Sequence, residues 1–190
     1  LGILLQDIGK SKEAETSYHK AIELKSDYAE AHFNLSLLEL LQGNYQSGLK
    51  NYEFRFKRKP SVKPHCIPQL KRVNKKKLGK GDKLLIISEQ GLGDTLQYMR
   101  YVPHIRRKDI DVSFCAQPKL HSLIKSSGID LNPLTPDQAN KISEGKWIPL
   151  LSLPKCLKVN PNNPIISKPY IFSTRELVKK WKKILAKEKK

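Results

Sequence analysis

The chain has 190 residues, 38% of them hydrophobic, enough to bury one ordinary core or two small ones, and it contains no apolar run of membrane-spanning length. Lys and Arg number 36 against 18 Asp and Glu; the formal charge of +18 favours anionic partners such as nucleic acid, a lipid surface, phosphorylated sugars or acidic glycans. A lysine-rich solvated surface without a dedicated ligand accounts for it slightly better, because the basic residues are spread out and few aromatics lie among them.

The chain opens LGILLQDIGK, with neither a basic n-region nor a small-residue cleavage site, so no secretory signal is read here and a cytoplasmic location is expected. It also opens in mid-pattern without Met, as a piece of a longer protein would. Placing Leu1 over Leu35 reveals a 34-residue register in which Gly2 falls on Ser36, Gly9 on Gly43, Ala14 on Gly48 and Tyr18 on Tyr52. Ala14, Tyr18, Ala21 and Ile22 recur at helical spacing, and Tyr28 to Leu35 starts a further helix that Gly43-Asn44 breaks. Small residues at fixed positions let two helices approach, and the aromatic fills the gap between them. The pattern resembles the tetratricopeptide repeat (TPR) family over about residues 1–59, and Arg55, standing where Ala21 stood, marks the end of the array. The resemblance implies a groove that binds protein or peptide, lined by polar residues such as Lys20 and Asn34; packaging of the next domain is an equal alternative.

Pro60 and Pro64 break the helical pattern, and residues 60–80, with Lys71, Arg72, Lys75, Lys76 and Lys77, read as a basic linker. The periodicity then changes. Lys83-Leu84-Leu85-Ile86-Ile87-Ser88-Glu89 is a short continuous apolar run with the character of a strand buried on both faces. A helix is expected from Thr95 to Val102, bent or ended by Pro103; a second strand over Asp111–Ala116; a second helix from Pro118 to Ser126; and a third short strand at Ile129-Asp130-Leu131. Trp147 to Pro154 is apolar but interrupted by proline. Residues 174–190 are expected to form a basic amphipathic helix with Leu177, Val178, Trp181, Ile184 and Leu185 on one face. Alternating strands and helices predict a Rossmann-like parallel sheet.

Gly91-x-Gly93 lies between a strand and a helix, yet Leu96 replaces the third glycine of a dinucleotide fingerprint. Ala116 and Gln117 stand where a ribose-binding carboxylate would end the second strand, and no Walker lysine pattern is present. No NAD or ATP site is expected. Asp94 at this junction has two readings: a helix cap, or an acidic group presented at the carboxyl end of the first strand.

Glu89-Gln90-Gly91-Leu92-Gly93-Asp94-Thr95-Leu96-Gln97-Tyr98, then Arg100-Tyr101-Val102-Pro103, and later Pro149 to Pro154 and Lys168-Pro169-Tyr170-Ile171, resemble bacterial TPR-linked glycosyltransferases, similar to the heptosyltransferases of lipopolysaccharide core synthesis with the GT-B fold. The resemblance implies that Asp94 is a general base toward an acceptor hydroxyl, with Glu89, Gln90, Gly91, Gly93 and Arg100 around the substrate. It also implies that the nucleotide-sugar donor binds mainly on a second Rossmann-like lobe, which has no counterpart within these 190 residues.

The expected organisation is therefore a TPR tail at 1–59, a linker at 60–80, a Rossmann-like half of a GT-B fold at 81–173, and a helix at 174–190 leading toward a second domain. The expected activity is that of a glycosyltransferase half, inactive alone, with a non-enzymatic TPR scaffold as the alternative. No cofactor or metal is implied beyond the donor of a full-length enzyme. Expected partners are a protein or peptide in the groove, a sugar or glycan acceptor, and peripherally an anionic membrane surface; specific nucleic-acid binding is not expected.

Overall fold

A computed structural model describes residues 1–73, 78–165 and 168–188; Lys75, Lys76, Lys77, Lys189 and Lys190 of the basic stretches lie outside them. The chain forms two compact units, one of Leu1–Lys63 with Leu151–Ile165 and one of Pro64–Leu150 with Ile166–Lys190.

The first unit is built from α1 (Gly2–Asp7), α2 (Ser11–Leu24), α3 (Ala29–Leu41) and α4 (Tyr45–Asn51), followed by a 3-10 turn at Tyr52–Phe56. Successive helices pack on each other around Ala14, Tyr18, Leu35 and Leu38, with Leu5 and Ile22 at the edge. The 34-residue register is present in the backbone. Gly9 and Gly43 both take left-handed conformations, with φ of 77° and 85°. At the first, Lys10 N–H donates to the Leu5 carbonyl at 2.8 Å and Gly9 N–H to Gln6 at 3.0 Å. At the second, Asn44 N–H donates to Glu39 at 2.7 Å and Gly43 N–H to Leu40 at 3.2 Å. Each pair is a Schellman termination, which satisfies the last carbonyls of a helix and needs a residue free to adopt positive φ.

Residues 151–165, which sequence places in the 81–173 segment, belong to this helical unit. The short helix α9 (Leu153–Cys156) contacts α4. Arg55 explains the attachment. Its side chain is fully buried between the rings of Tyr52 and Phe56, with the guanidinium carbon 4.6 and 4.1 Å from their centroids. It donates to the Tyr52 carbonyl at 3.1 Å, to Glu53 Oε1 at 3.0 Å and to Ser152 Oγ at 2.9 Å. Ser152 Oγ in turn donates to Glu53 at 2.8 Å. The residue that breaks the repeat is thus the anchor for a segment nearly a hundred positions away, and a buried guanidinium needs this number of acceptors.

The second unit holds a four-stranded, all-parallel sheet of order β1-β4-β2-β3. Its strands are β1 (Lys71–Arg72), β2 (Lys83–Ile87), β3 (Asp111–Cys115) and β4 (Lys146–Pro149). Between β2 and β3 lie α5 (Leu92–Tyr98) and α6 (Tyr101–Arg106). Between β3 and β4 lie a 3-10 turn at Pro118–Leu120, α7 (His121–Ser126) and α8 (Pro136–Ala139). The last helix is α10 (Arg175–Glu188). Leu84, Leu85, Ile86 and Ile87 are each at most 2% exposed, as an apolar run covered on both faces requires. This is an α/β, Rossmann-like arrangement following an all-helical unit.

Three local expectations are corrected. Ile129-Asp130-Leu131 is not a strand: Arg106 takes the Ile129 carbonyl and the Asp130 carboxylate (2.7 Å), and β4 occupies the place beside β2. Lys71 and Arg72, read as linker, form the edge strand β1 against β4. The helix over residues 95–102 is two helices that break at Met99-Arg100; Pro103 sits in the first turn of α6, where its missing N–H has no intrahelical partner to lose.

Candidate functional site

An open parallel sheet offers a ligand the crevice beyond the carboxyl end of the strand where the winding reverses. That strand is β2: the chain passes from β2 to β3 on one side, then crosses to β4 on the other. The expected loop follows β2 directly. Ser88 and Glu89 are fully buried, Gln90, Gly91, Leu92 and Gly93 are exposed, and Asp94 is half-buried.

Asp94 lies in the first turn of α5 and accepts a hydrogen bond from Gly91 N–H through Oδ2 at 3.0 Å. This is the capping geometry expected of an acidic residue at a helix start, since it satisfies a donor the helix leaves orphaned. Among the described residues no hydrogen bond reaches its Oδ1. One carboxylate oxygen therefore holds the loop and the other carries an uncommitted lone pair.

The two glycines differ. A Cβ on Gly91 would come 3.2 Å from Asp94 Oδ2, so its neighbour would have to give way. A Cβ on Gly93 would meet nothing within 4 Å, and Gly93 is not among the residues with positive φ. The fold itself does not require glycine at 93. Gln90 has a left-handed backbone, φ 61°, unusual for a non-glycine residue and found where a chain turns sharply.

Gln117, just beyond β3, occupies the place where a dinucleotide fold would carry a carboxylate. Its side chain does different work: its Oε1 accepts from Thr95 Oγ1 at 2.8 Å while its Nε2 faces the carbonyls of Gly91 and Gln90 at 3.3 and 3.5 Å. The amide thus fixes the loop to the end of the neighbouring strand. His65 supports the loop from the segment before β1. Its N–H donates to the Ser88 carbonyl at 3.0 Å, its Nδ1 lies 2.8 Å from Ser88 Oγ, and Pro64 forms an antiparallel bridge with Glu89.

Gln90, Gly91, Gly93 and Asp94 are thus brought together at one junction, the loop after β2 and the first turn of α5. Glu89, expected among the substrate contacts, lies beneath that loop with no exposed surface. Arg100 lies six residues further along, at the α5–α6 break, and is engaged there. It donates to the Gln97 carbonyl at 2.8 Å and to Tyr170 Oη at 3.1 Å, with its guanidinium 4.6 Å from the Tyr170 ring centre. Tyr170 Oη donates to the Leu96 carbonyl at 2.7 Å, so Arg100 and Tyr170 pin residues 168–172 to the end of α5. Sequence reasoning gave His65, Thr95 and Gln117 no role at the site. Gln117 alone had a legible signal, its position after the second strand.

Among the described residues, no three His, Cys, Asp or Glu side chains cluster as metal ligands would, and no helix is long and apolar enough to cross a membrane. No protein-family model, curated protein or solved structure matches this chain.

Proposed function

We propose that the sheet-bearing unit is the acceptor-side half of a heptosyltransferase-like glycosyltransferase of GT-B type, in the same chain as a TPR-like helical array. Asp94 acts in it as general base toward an acceptor hydroxyl. One observation carries the reading: in the first turn of α5, at the β2 switch point, a carboxylate with one uncommitted oxygen stands beside a glycine the fold does not need. A base needs a lone pair free of structural duty, and Oδ1 has one. A glycine without a steric role of its own leaves room for another molecule to approach the backbone. Gln117 and His65 keep this loop in place. Transfer also needs the donor's anomeric carbon aligned with the acceptor, and in the family it resembles the donor sits mainly on a second lobe. The chain alone is therefore expected to transfer no sugar.

The test begins with binding. Amide chemical shifts are followed while heptose- and hexose-containing acceptor saccharides are titrated into the isotopically labelled chain. Shifts centred on Gln90–Asp94 and Gln117, weakened several-fold in Gly93→Val and retained in Asp94→Asn, support the reading. No shift at the loop with any acceptor would sink it. Incubation with a panel of nucleotide sugars completes the test: turnover that disappears in Asp94→Ala would show that the half suffices and that the base is right.

A second reading, a peptide-binding scaffold of the TPR kind, is favoured by a cleft of about 510 Å³ in the helical unit, where Lys20 and Asn34 lie beside Tyr18, Leu24, Tyr28 and Ala31. A peptide whose affinity falls on Lys20→Ala and Asn34→Ala would support it.

A further inference from the structure

Three scattered cysteines show no motif in the sequence, but the fold joins two of them. Cys66 lies on the irregular segment that leads into β1, and Cys115 is the last residue of β3. Both are buried, 5% and 0% exposed, with their sulfurs 3.9 Å apart. The wall around them is apolar, made of Leu85, Ile87 and Ala139 with Leu134 and Trp147 at its edge. Cys156 is exposed and belongs to the helical unit. We propose that Cys66 and Cys115 are a redox modification site, closing to an intramolecular disulfide on exposure to a low-molecular-weight disulfide such as oxidised glutathione. This inference is independent of the glycosyltransferase reading.

The sulfurs must approach by about 2 Å to reach bonding distance. Cys115 is held in the β2–β3 ladder opposite Ile87, and its carbonyl accepts from Ser88 N–H at 2.9 Å. The adjustment therefore falls on Cys66, whose segment has no ladder of its own at that residue. The two thiols are also unequal. Contact with Cys115 favours the Cys66 thiolate and outweighs its burial, whereas the same contact and burial push the Cys115 thiol far up. Cys66 is the attacking sulfur and Cys115 the resolving one.

The steps balance as ordinary exchange. Cys66 thiolate attacks one sulfur of the small disulfide; its S–S bond breaks and one small thiolate leaves and takes a proton. Cys115 then gives up its proton and attacks the Cys66 sulfur, expelling the second small thiol. Two protein S–H groups become one S–S bond while the small disulfide is reduced to two thiols. The second step is favoured because the fold brings the Cys66 segment back to the end of β3, where the two sulfurs meet. The first waits on local opening of the segment around Cys66, so the reaction is slow in the folded protein. The new bond would tie the residues that support the glycine loop, Pro64 and His65, to the end of β3.

The test uses the full chain carrying Cys156→Ser, so that the exposed thiol cannot cross-link molecules. The folded protein is held in glutathione buffers of increasing oxidised fraction under native conditions. Free thiols are counted after denaturation, and linked peptides are mapped by mass. The expected result is loss of both remaining thiols, a Cys66–Cys115 linked peptide and full reversal by dithiothreitol. In the same background Cys115→Ala should stop at a mixed disulfide on Cys66, and circular dichroism confirms that this variant is folded. Two thiols persisting in fully oxidised glutathione, or glutathione remaining on Cys66 in the chain that keeps Cys115, would overturn the proposal.

Discussion

Gly93 illustrates how a single position can separate folding from function. It lies in the first turn of α5, where the advantage of alanine over glycine is at most the ~1 kcal/mol of a helix interior, and the space around its missing Cβ is open. Gly93→Ala should therefore leave the fold intact and raise stability by up to about 1 kcal/mol in urea unfolding, while acceptor affinity falls several-fold. A loss of stability would show that the glycine serves the backbone instead. Glu53 presents the opposite case, a charge kept for structure. Burial pushes its carboxyl up, but Arg55, Ser152 and Lys155 together outweigh burial and hold it below the usual carboxylate range. A carboxylate depressed on folding stabilises above its ordinary value, near 4.5, and that contribution is lost as pH falls through the lower folded value. Glu53→Gln should be the less stable protein at neutral pH and should lose less on acidification below about pH 4.5. Equal slopes of unfolding free energy against pH in the two proteins would count against the network.

Elements are governed here by their ends. The helical unit repeats because Gly9 and Gly43 terminate α1 and α3 with the same pair of backbone bonds, and the helices that follow start 34 residues apart, at Ser11 and Tyr45. An alanine at Gly43 would be forced to a φ that L-residues reach only at a cost of about 1–2 kcal/mol. Gly43→Ala should destabilise the helical unit by about that amount, measured by denaturant unfolding. Hydrogen exchange should show the change concentrated in α3 and α4; an effect spread evenly over the sheet would contradict it. In the second unit, Ile129-Asp130-Leu131 has strand composition, yet Arg106 takes the carbonyls of Ile129 and of Val112 on β3, backbone acceptors that a ladder would have used.

For the whole molecule the charge is uneven. The sheet-bearing unit contains 24 Lys and Arg against 10 Asp and Glu, and the helical unit 12 against 8. The basic run from Lys71 to Lys83 has seven Lys and Arg with no aromatic among them on which a base could stack. Binding to DNA or RNA should therefore be weak, indifferent to sequence and steep in salt, because it rests on displaced counterions. If four to seven phosphates are neutralised, the slope of log K against log salt is roughly −4 to −6. Fluorescence anisotropy with two unrelated oligonucleotides across a salt series checks this. Sequence-selective binding that survives physiological salt would make nucleic acid a specific partner.

What the sequence determined by itself was periodic or local. The 34-residue spacing of small and aromatic residues specified the helical hairpins, because helix packing repeats with the side chains that make it. The apolar run at Leu84 to Ile87 specified a strand covered on both faces, and the Gly-Asp junction after it specified a loop at that strand's carboxyl end with Asp94 in the following turn. Only the tertiary structure decided which distant groups would meet. Gln117 reaches back to the glycine loop, Ser152 joins Arg55, and Cys66 touches Cys115 across a gap of 49 residues. Such meetings depend on sheet order and on where the chain crosses between units. Strand pairing and side-chain burial select these over many residues at once, and they leave no periodic trace in the sequence.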